Sequence, residues 1–285
     1  MFRLAIANHL PKALAECPLH PSHDNPCAPA RALSALLARL ETSPAISRLI
    51  IFDVGTNNGA WSHALLNAVN ASLSRSGIAN DTFVEHHLFE PQPHLKSHLE
   101  KQLVQKYTSA RVAIHFHAAA ASVSDGNATF YVSPRNTFSS SMHQQSMKGN
   151  IRHSITVATL DLDALLEGVL MRRSRSQARS ELVFLKMDVE SAEFELLPHL
   201  FRRPNGPACL VDYWLIEWHL WKSNWTPERD ELRRTIEDQI ERQCPRRDRA
   251  RTPRLIDHDE RYSMHPPAPP GMPPVYPSDA RRVGL

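Results

Sequence analysis

The sequence predicts an α/β domain built on a doubly wound, mostly parallel sheet with helices on both faces. Three observations lead there. Several strand-like segments, among them RLIIFDV and LVFLKMDV, are near-continuous apolar runs, the pattern of strands buried on both faces. Helical stretches such as AWSHALLNAVNASL separate them, which makes βαβ units. A glycine-containing turn, Asp53-Val54-Gly55-Thr56-Asn57-Asn58-Gly59, stands where the first strand gives way to a helix.

The elements follow in order. Residues 1–46 are a lead-in without a clear period, apart from a short helix over Ala32 to Leu40. The core domain spans 47–262. Its first strand, Leu49 to Val54, leads through the turn to the first helix, and FVEHHLFE is the second strand. A helix over Pro93 to Lys106 precedes the strand RVAIHFHAA. After the Asp125-Gly126 turn, Ala128 to Val132 reads as a hairpin arm; ITVATLDLDALL then leads into LVFLKMDV, and DYWLIEWH is the last clear strand. Thr226 caps a helix with Pro227 in its first turn, and Leu232, Ile236 and Ile240 recur every four residues to dock it on the core. The run PRRDRARTPR reads as a solvated loop or as a binder of anionic substrate. Residues 263–285 form a Pro-dense tail, expected to be extended and disordered.

Composition bounds the function. The chain has 285 residues, 42% hydrophobic and 22% charged, enough to bury a core without staples. The net charge of +3 comes from the local Arg-rich run, so no nucleic-acid partner is expected. No apolar run approaches the roughly 18 residues of a membrane span. Cys17, Cys27, Cys209 and Cys244 show no paired spacing, and are read as unpaired thiols in a reducing compartment. The start of the chain does not read as a secretory signal, so a cytoplasmic location is expected, with an organelle transit peptide left open.

Four features carry chemistry. The Asp53 to Gly59 turn allows close backbone approach to a ligand at a helix N-terminus, or is simply a structural turn. Glu90, in Phe89-Glu90-Pro91-Gln92-Pro93, ends the second strand, where nucleotide-binding sheets place an acid on ribose hydroxyls. The separation from Gly55 to Glu90 is 35 residues, against roughly 20 in the dinucleotide fingerprint, and the third glycine is missing, which disfavours an NAD-type oxidoreductase. Strand alternation puts Asp188 and Glu190 on one side near the end of LVFLKMDV, while Glu193 falls in the next helix's first turn, where complementing the helix dipole suffices to explain it. Glu217 and His219 share a face at the end of DYWLIEWH, as base and orienter, as metal ligands, or as ordinary strand-end residues. No resident metal is assigned.

Together these segments resemble the FkbM-type methyltransferase family, a branch of class I S-adenosylmethionine (SAM)-dependent methyltransferases. Asp53 to Gly59 is similar to the family's D-x-G-A-N-x-G with Thr56 in place of Ala, Phe89 to Pro93 matches its F-E-P-x-P, and Asp188 to Glu193 is similar to its D-V-E-G-x-E. Weaker echoes lie at Ala119 to Ser122, Asp125-Gly126, Phe130-Tyr131, Ser139 to Ser141 and Val157 to Asp161, so the resemblance covers about residues 48 to 220. It implies a seven-stranded sheet and transfer of a methyl group from SAM to an oxygen of a sugar-like or other small acceptor. It further implies that Asp53, Gly55, Asn57 and Gly59 hold the methionine end, Glu90 the ribose, and Ala119 and Ala120 leave room for the adenine. Asp188, Glu190, Glu217 and His219 are the implied catalytic group. Ser191 stands where the family has glycine, which leaves a non-catalytic SAM- or nucleotide-binding module as the alternative.

Overall fold

In the computed structural model, residues 36–40, 46–75, 82–132, 140–144, 153–171, 180–219, 226–244 and 254–258 are described. Residues 36–40 are helical, within the expected lead-in helix. The Arg-rich run up to residue 253 and the Pro-dense tail lie outside the described residues, as do Cys17 and Cys27.

The strands are β1 (Arg48–Val54), β2 (Phe83–Phe89), β3 (Val112–His117), β4 (Ala120–Ser122), β5 (Gly126–Val132), β6 (His153–Asp161), β7 (Glu181–Met187), β8 (Tyr213–Glu217) and β9 (Arg254–His258). The helices are α1 (Ala60–Arg75), α2 (Pro93–Leu99, continued by a π-helical turn over Glu100–Gln105), α3 (Leu162–Leu170), α4 (Glu193–Phe201) and α5 (Pro227–Asp238). Thr226 caps α5 as expected, its hydroxyl accepting from the Arg229 N–H.

Six strands form the main sheet in the order β3-β2-β1-β7-β8-β9, each pair parallel. β1 is central. Both faces of its strand are covered, which is why RLIIFDV is apolar throughout. Leu49 and Ile51 pack with Leu65, Leu66 and Val69 of α1 and Leu99 of α2. Ile50, Phe52 and Val54 pack with Leu162 and Leu166 of α3, Leu196 and Leu197 of α4, and Ile236 of α5.

The expectation of seven strands in one sheet is corrected to six. The hairpin arm is real but separate: β5 pairs antiparallel with β6, and β4 lies parallel on β6, in a second sheet of three strands. Seven residues of β5 find their partners in β6, which satisfies its ladder locally and leaves it nothing to add to the main sheet. β9, which starts at the last residue of the Arg-rich run, takes the edge beside β8 instead.

The reading of all cysteines as unpaired is also corrected. Cys209, in the 3₁₀ turn Pro207–Leu210, is disulfide-bonded to Cys244 at the end of the α5 segment. The two lie 35 residues apart, and only the docking of α5 brings them together, so no spacing rule detects the pair. The argument for a reducing compartment loses its basis with them.

Candidate active site

Register builds the site. Val54 of β1 lies beside Phe89 of β2 and beside Met187 of β7, so three central strands end level and their following loops meet at one edge. The strand order also reverses about β1, the position where open α/β sheets take ligands. A cleft with about 530 Å³ of empty space opens there, and Gly55, Asn57, Glu90, Ala119, Ala120 and Asp188 are among its lining residues, with Glu190 and Phe130.

The loop after β1 has no room for side chains. Gly55 has φ +88°, and a Cβ on it would lie 1.7 Å from the Asp188 carbonyl oxygen. Asn57, at φ 53°, donates its N–H to Glu90 Oε2 at 2.8 Å, and Gln92 N–H reaches Glu90 Oε1 at 2.9 Å. Burial pushes the Glu90 carboxyl up to about 7, against the lowering effect of those hydrogen bonds from Gln92 and Asn57. The Oδ1 of Asn57 is buried beside the cleft with no hydrogen-bond partner among the described residues. An orphaned acceptor, an acid with two oxygens and a wall of three alanines suit a polar, flat-ringed cofactor of the nucleoside kind.

Two of the expected cofactor residues do not line the cleft. Asp53 is fully buried under the loop, where Ser62 Oγ donates to its Oδ2 at 2.5 Å and Lys186 Nζ lies 3.1 Å from its Oδ1. Gly59, at φ +78°, lets α1 approach the π-helical turn: a Cβ there would stand 2.7 Å from a methyl of Leu103.

The four expected catalytic residues do come together. His219 is completely buried, and its Nε2 lies 3.6 Å from Glu217 Oε1, 3.7 Å from Asp188 Oδ1 and 3.8 Å from Glu190 Oε2. Asp188 and Glu190 line the cleft, while Glu217 supports His219 from beside it. Asp188, Glu190 and His219 also offer ligand atoms within 4.8 Å of one another, a spacing that could hold a divalent cation.

Two contributors escape the sequence reading. Glu193 does more than face the helix dipole: it is fully buried, accepts the Ser191 N–H at 2.9 Å and the His219 N–H at 2.7 Å, and lies 3.3 Å from His219 Nδ1. That fixes the imidazole ring. Lys186 is the other, reaching Asp53, the Gly55 carbonyl oxygen at 2.9 Å and Asp188 Oδ2 at 3.4 Å. Burial alone would lower its pKa, but the carboxylates of Asp53 and Asp188 outweigh it and raise it above the usual lysine value. A lysine inside an apolar strand, two residues before an acid, was the available signal. Ser191 occupies the expected glycine conformation, φ +87°, and its buried hydroxyl has no hydrogen-bond partner among the described residues, so it does not cap α4.

A comparison with curated proteins gives no match. Among family descriptions, that of the Methyltransferase FkbM domain matches residues 53–244, a span that runs from Asp53 through the cleft to the end of the α5 segment. The chain therefore belongs to the FkbM methyltransferase domain family.

Proposed function

We propose that this methyltransferase takes its methyl group from SAM and places it on an oxygen of a small, sugar-like hydroxyl acceptor. The carrying observation is the juxtaposition of the two halves: Glu90 and the alanine wall on one side of the cleft, Asp188 and Glu190 with His219 behind them on the other. The domain reads as a doubly wound nucleotide-binding sheet, with helices on both faces and the cleft at the strand-order reversal.

SAM supplies an electrophilic sulfonium-bound methyl. Glu90 accepts hydrogen bonds from the two ribose hydroxyls, Ala119 and Ala120 give the adenine a flat wall, and Asn57 offers its free Oδ1 to the polar end. On the acceptor side the work is proton removal. Asp188 stands in the cleft, and His219 is steered by Glu193, so the pair can take the hydroxyl proton as oxygen attacks in line. Lys186, 3.4 Å from Asp188 Oδ2, holds that side chain in place, and the apolar rim, with Phe130 and Met142, excludes water. No described helix is long and apolar enough to cross a membrane.

The second reading, a binding module that no longer transfers methyl groups, is favoured by one observation only, the strained and unsatisfied Ser191. Calorimetry with SAM, followed by acceptor screening with labelled methyl, tests both. Binding with transfer supports the enzyme, binding without transfer to any acceptor supports the module, and no binding overturns the cofactor assignment.

A further inference from the structure

Away from the cleft, the edge of the main sheet carries polar side chains where apolar ones would be expected. Glu85 and His87 of β2 and His115 and His117 of β3 share one face, with His87 directly opposite His115 and His117 opposite Phe89. The rings form a stack: Phe52 to His87 at 4.9 Å, His87 to His115 at 4.7 Å, and Phe89 to His117 at 4.6 Å. Glu85 and His87 are buried, whereas the His115 side chain is 48% exposed.

We propose that Glu85, His87 and His115 form a binding site for a zinc-class divalent cation, separate from the methyl-transfer cleft. Glu85 Oε1 lies 3.0 Å from His87 Nε2 and 3.7 Å from His115 Nε2, and the three donor atoms all fall within 4.8 Å of one another. Zinc bonds of about 2.0 to 2.2 Å place tetrahedral ligands roughly 3.3 to 3.5 Å apart, so both separations from Glu85 Oε1 lie within a few tenths of an ångström of that spacing, and rotation of the exposed His115 ring closes the remaining gap between the two histidines. Two imidazoles and one carboxylate are the donor set of a three-ligand zinc site, and imidazole favours zinc and its neighbours over magnesium or calcium. The exposed His115 provides the entry path and leaves the fourth position to water.

The surroundings prepare these donors. Arg48 pairs with Glu85 Oε2 and with Glu181, which turns Oε1 towards the two histidines. His87 Nδ1 lies 3.1 Å from His117 Nε2, the outer partner that a metal-bound histidine needs. Without the ion, the proton on His87 Nε2 bonds to Glu85, and Nδ1 accepts from His117 Nε2. With it, His87 carries its proton on Nδ1 and donates to His117, which moves its own proton to Nδ1. Each ring keeps one proton, so the cation replaces a hydrogen bond by a tautomer shift along the pair, with no net proton released. Such an ion would tie the edge strand β3 to β2.

The experiment uses the full chain, stripped with a chelator and titrated with Zn²⁺, and with Co²⁺ read by its visible absorption. One equivalent is expected to bind with the intense bands of a tetrahedral site. Loss of an outer partner typically costs 10- to 100-fold in metal affinity, so His115→Ala, which removes a direct ligand on an exposed position, should weaken that equivalent at least about tenfold. Glu190→Gln, in the other cluster, should leave it unchanged. Binding unaltered in His115→Ala, binding lost in Glu190→Gln instead, or no binding to the parent chain overturns the proposal.

Discussion

The ammonium of Lys186 lies 3.1 Å from the carboxylate of Asp53, which precedes it by 133 residues, and the Asp53 side chain is wholly inaccessible to water. The pair sits beneath the loop after β1, and the same ammonium reaches Gly55 and Asp188. One cation thus fastens together the loops after β1 and β7, both of which line the cleft. The network extends further: the Ser62 hydroxyl donates to Asp53 and also lies 3.1 Å from His86 Nε2. Ser62 has a single proton, so His86 must be the donor to it; burial, foremost, lowers His86 to about 4 and keeps it neutral.

Removing one partner from a buried ion pair typically costs about 3 to 5 kcal/mol, because the other charge is left uncompensated. Lys186→Met is therefore expected to lower the unfolding free energy by about that amount in urea denaturation. The double variant with Asp53→Asn should recover a substantial part, since the fully buried carboxylate is no longer left charged and uncompensated, and Asp188, the other partner, reaches water. Equal losses in the single and double variants would show that the pair does not couple.

Glu90 makes cofactor binding testable. A charge-assisted hydrogen bond contributes about 1.5 to 3 kcal/mol, so Glu90→Ala should weaken SAM binding roughly 10- to 150-fold with the fold intact. Unchanged affinity in calorimetry would remove Glu90 from the cofactor site.

The same residue sets a pH dependence. The folded carboxyl titrates at about 7 against an ordinary value of 4.5, so the folded chain holds its proton longer than the unfolded chain. Its contribution to stability therefore declines as pH rises from 4.5 to about 7. The ionised form accepts hydroxyl bonds best, so SAM affinity should rise as pH goes from about 6 to about 8. Glu90→Gln should flatten that rise; a profile that keeps its slope in the variant would assign the titration to another group.

Positioned base catalysis contributes about 10² to 10⁴-fold, and the proposed function assigns it to Asp188 and His219. Asp188→Asn and His219→Ala should each lower kcat/KM for the acceptor at least about tenfold with little change in SAM affinity. His219→Ala should in addition lose about 1 to 3 kcal/mol of stability, since Glu193 loses its imidazole contact in a fully buried site. Wild-type rates in both folded variants would refute the assignment.

A non-glycine residue held in the left-handed region costs about 1 to 3 kcal/mol, and Ser191 also buries an unsatisfied hydroxyl. Ser191→Gly should therefore raise the denaturation midpoint, with a net gain of about 1 kcal/mol after the added entropy of the unfolded chain. A lower midpoint would mean that the serine makes an interaction worth more than the strain.

The sequence by itself determined the parts that depend on local pattern. Apolar runs with period-independent burial marked β1, β7 and β8; Gly55 and Asn57 marked the sharp turn; and the three motif segments identified the family and placed Glu90, Asp188 and Glu190 at strand ends. Only the tertiary structure decided the roles that depend on distance. That Asp53 belongs to Lys186, that Glu193 steers His219, and that Cys209 reaches Cys244 all follow from strand register and helix docking between segments 26 to 133 residues apart. The hairpin's departure from the main sheet was likewise a matter of pairing, since the apolar pattern of β5 says which face is buried but not which strand lies beside it. Local chemistry fixes what a segment can be; which buried charge meets which partner is settled by packing, where an unpaired ion is too costly to leave.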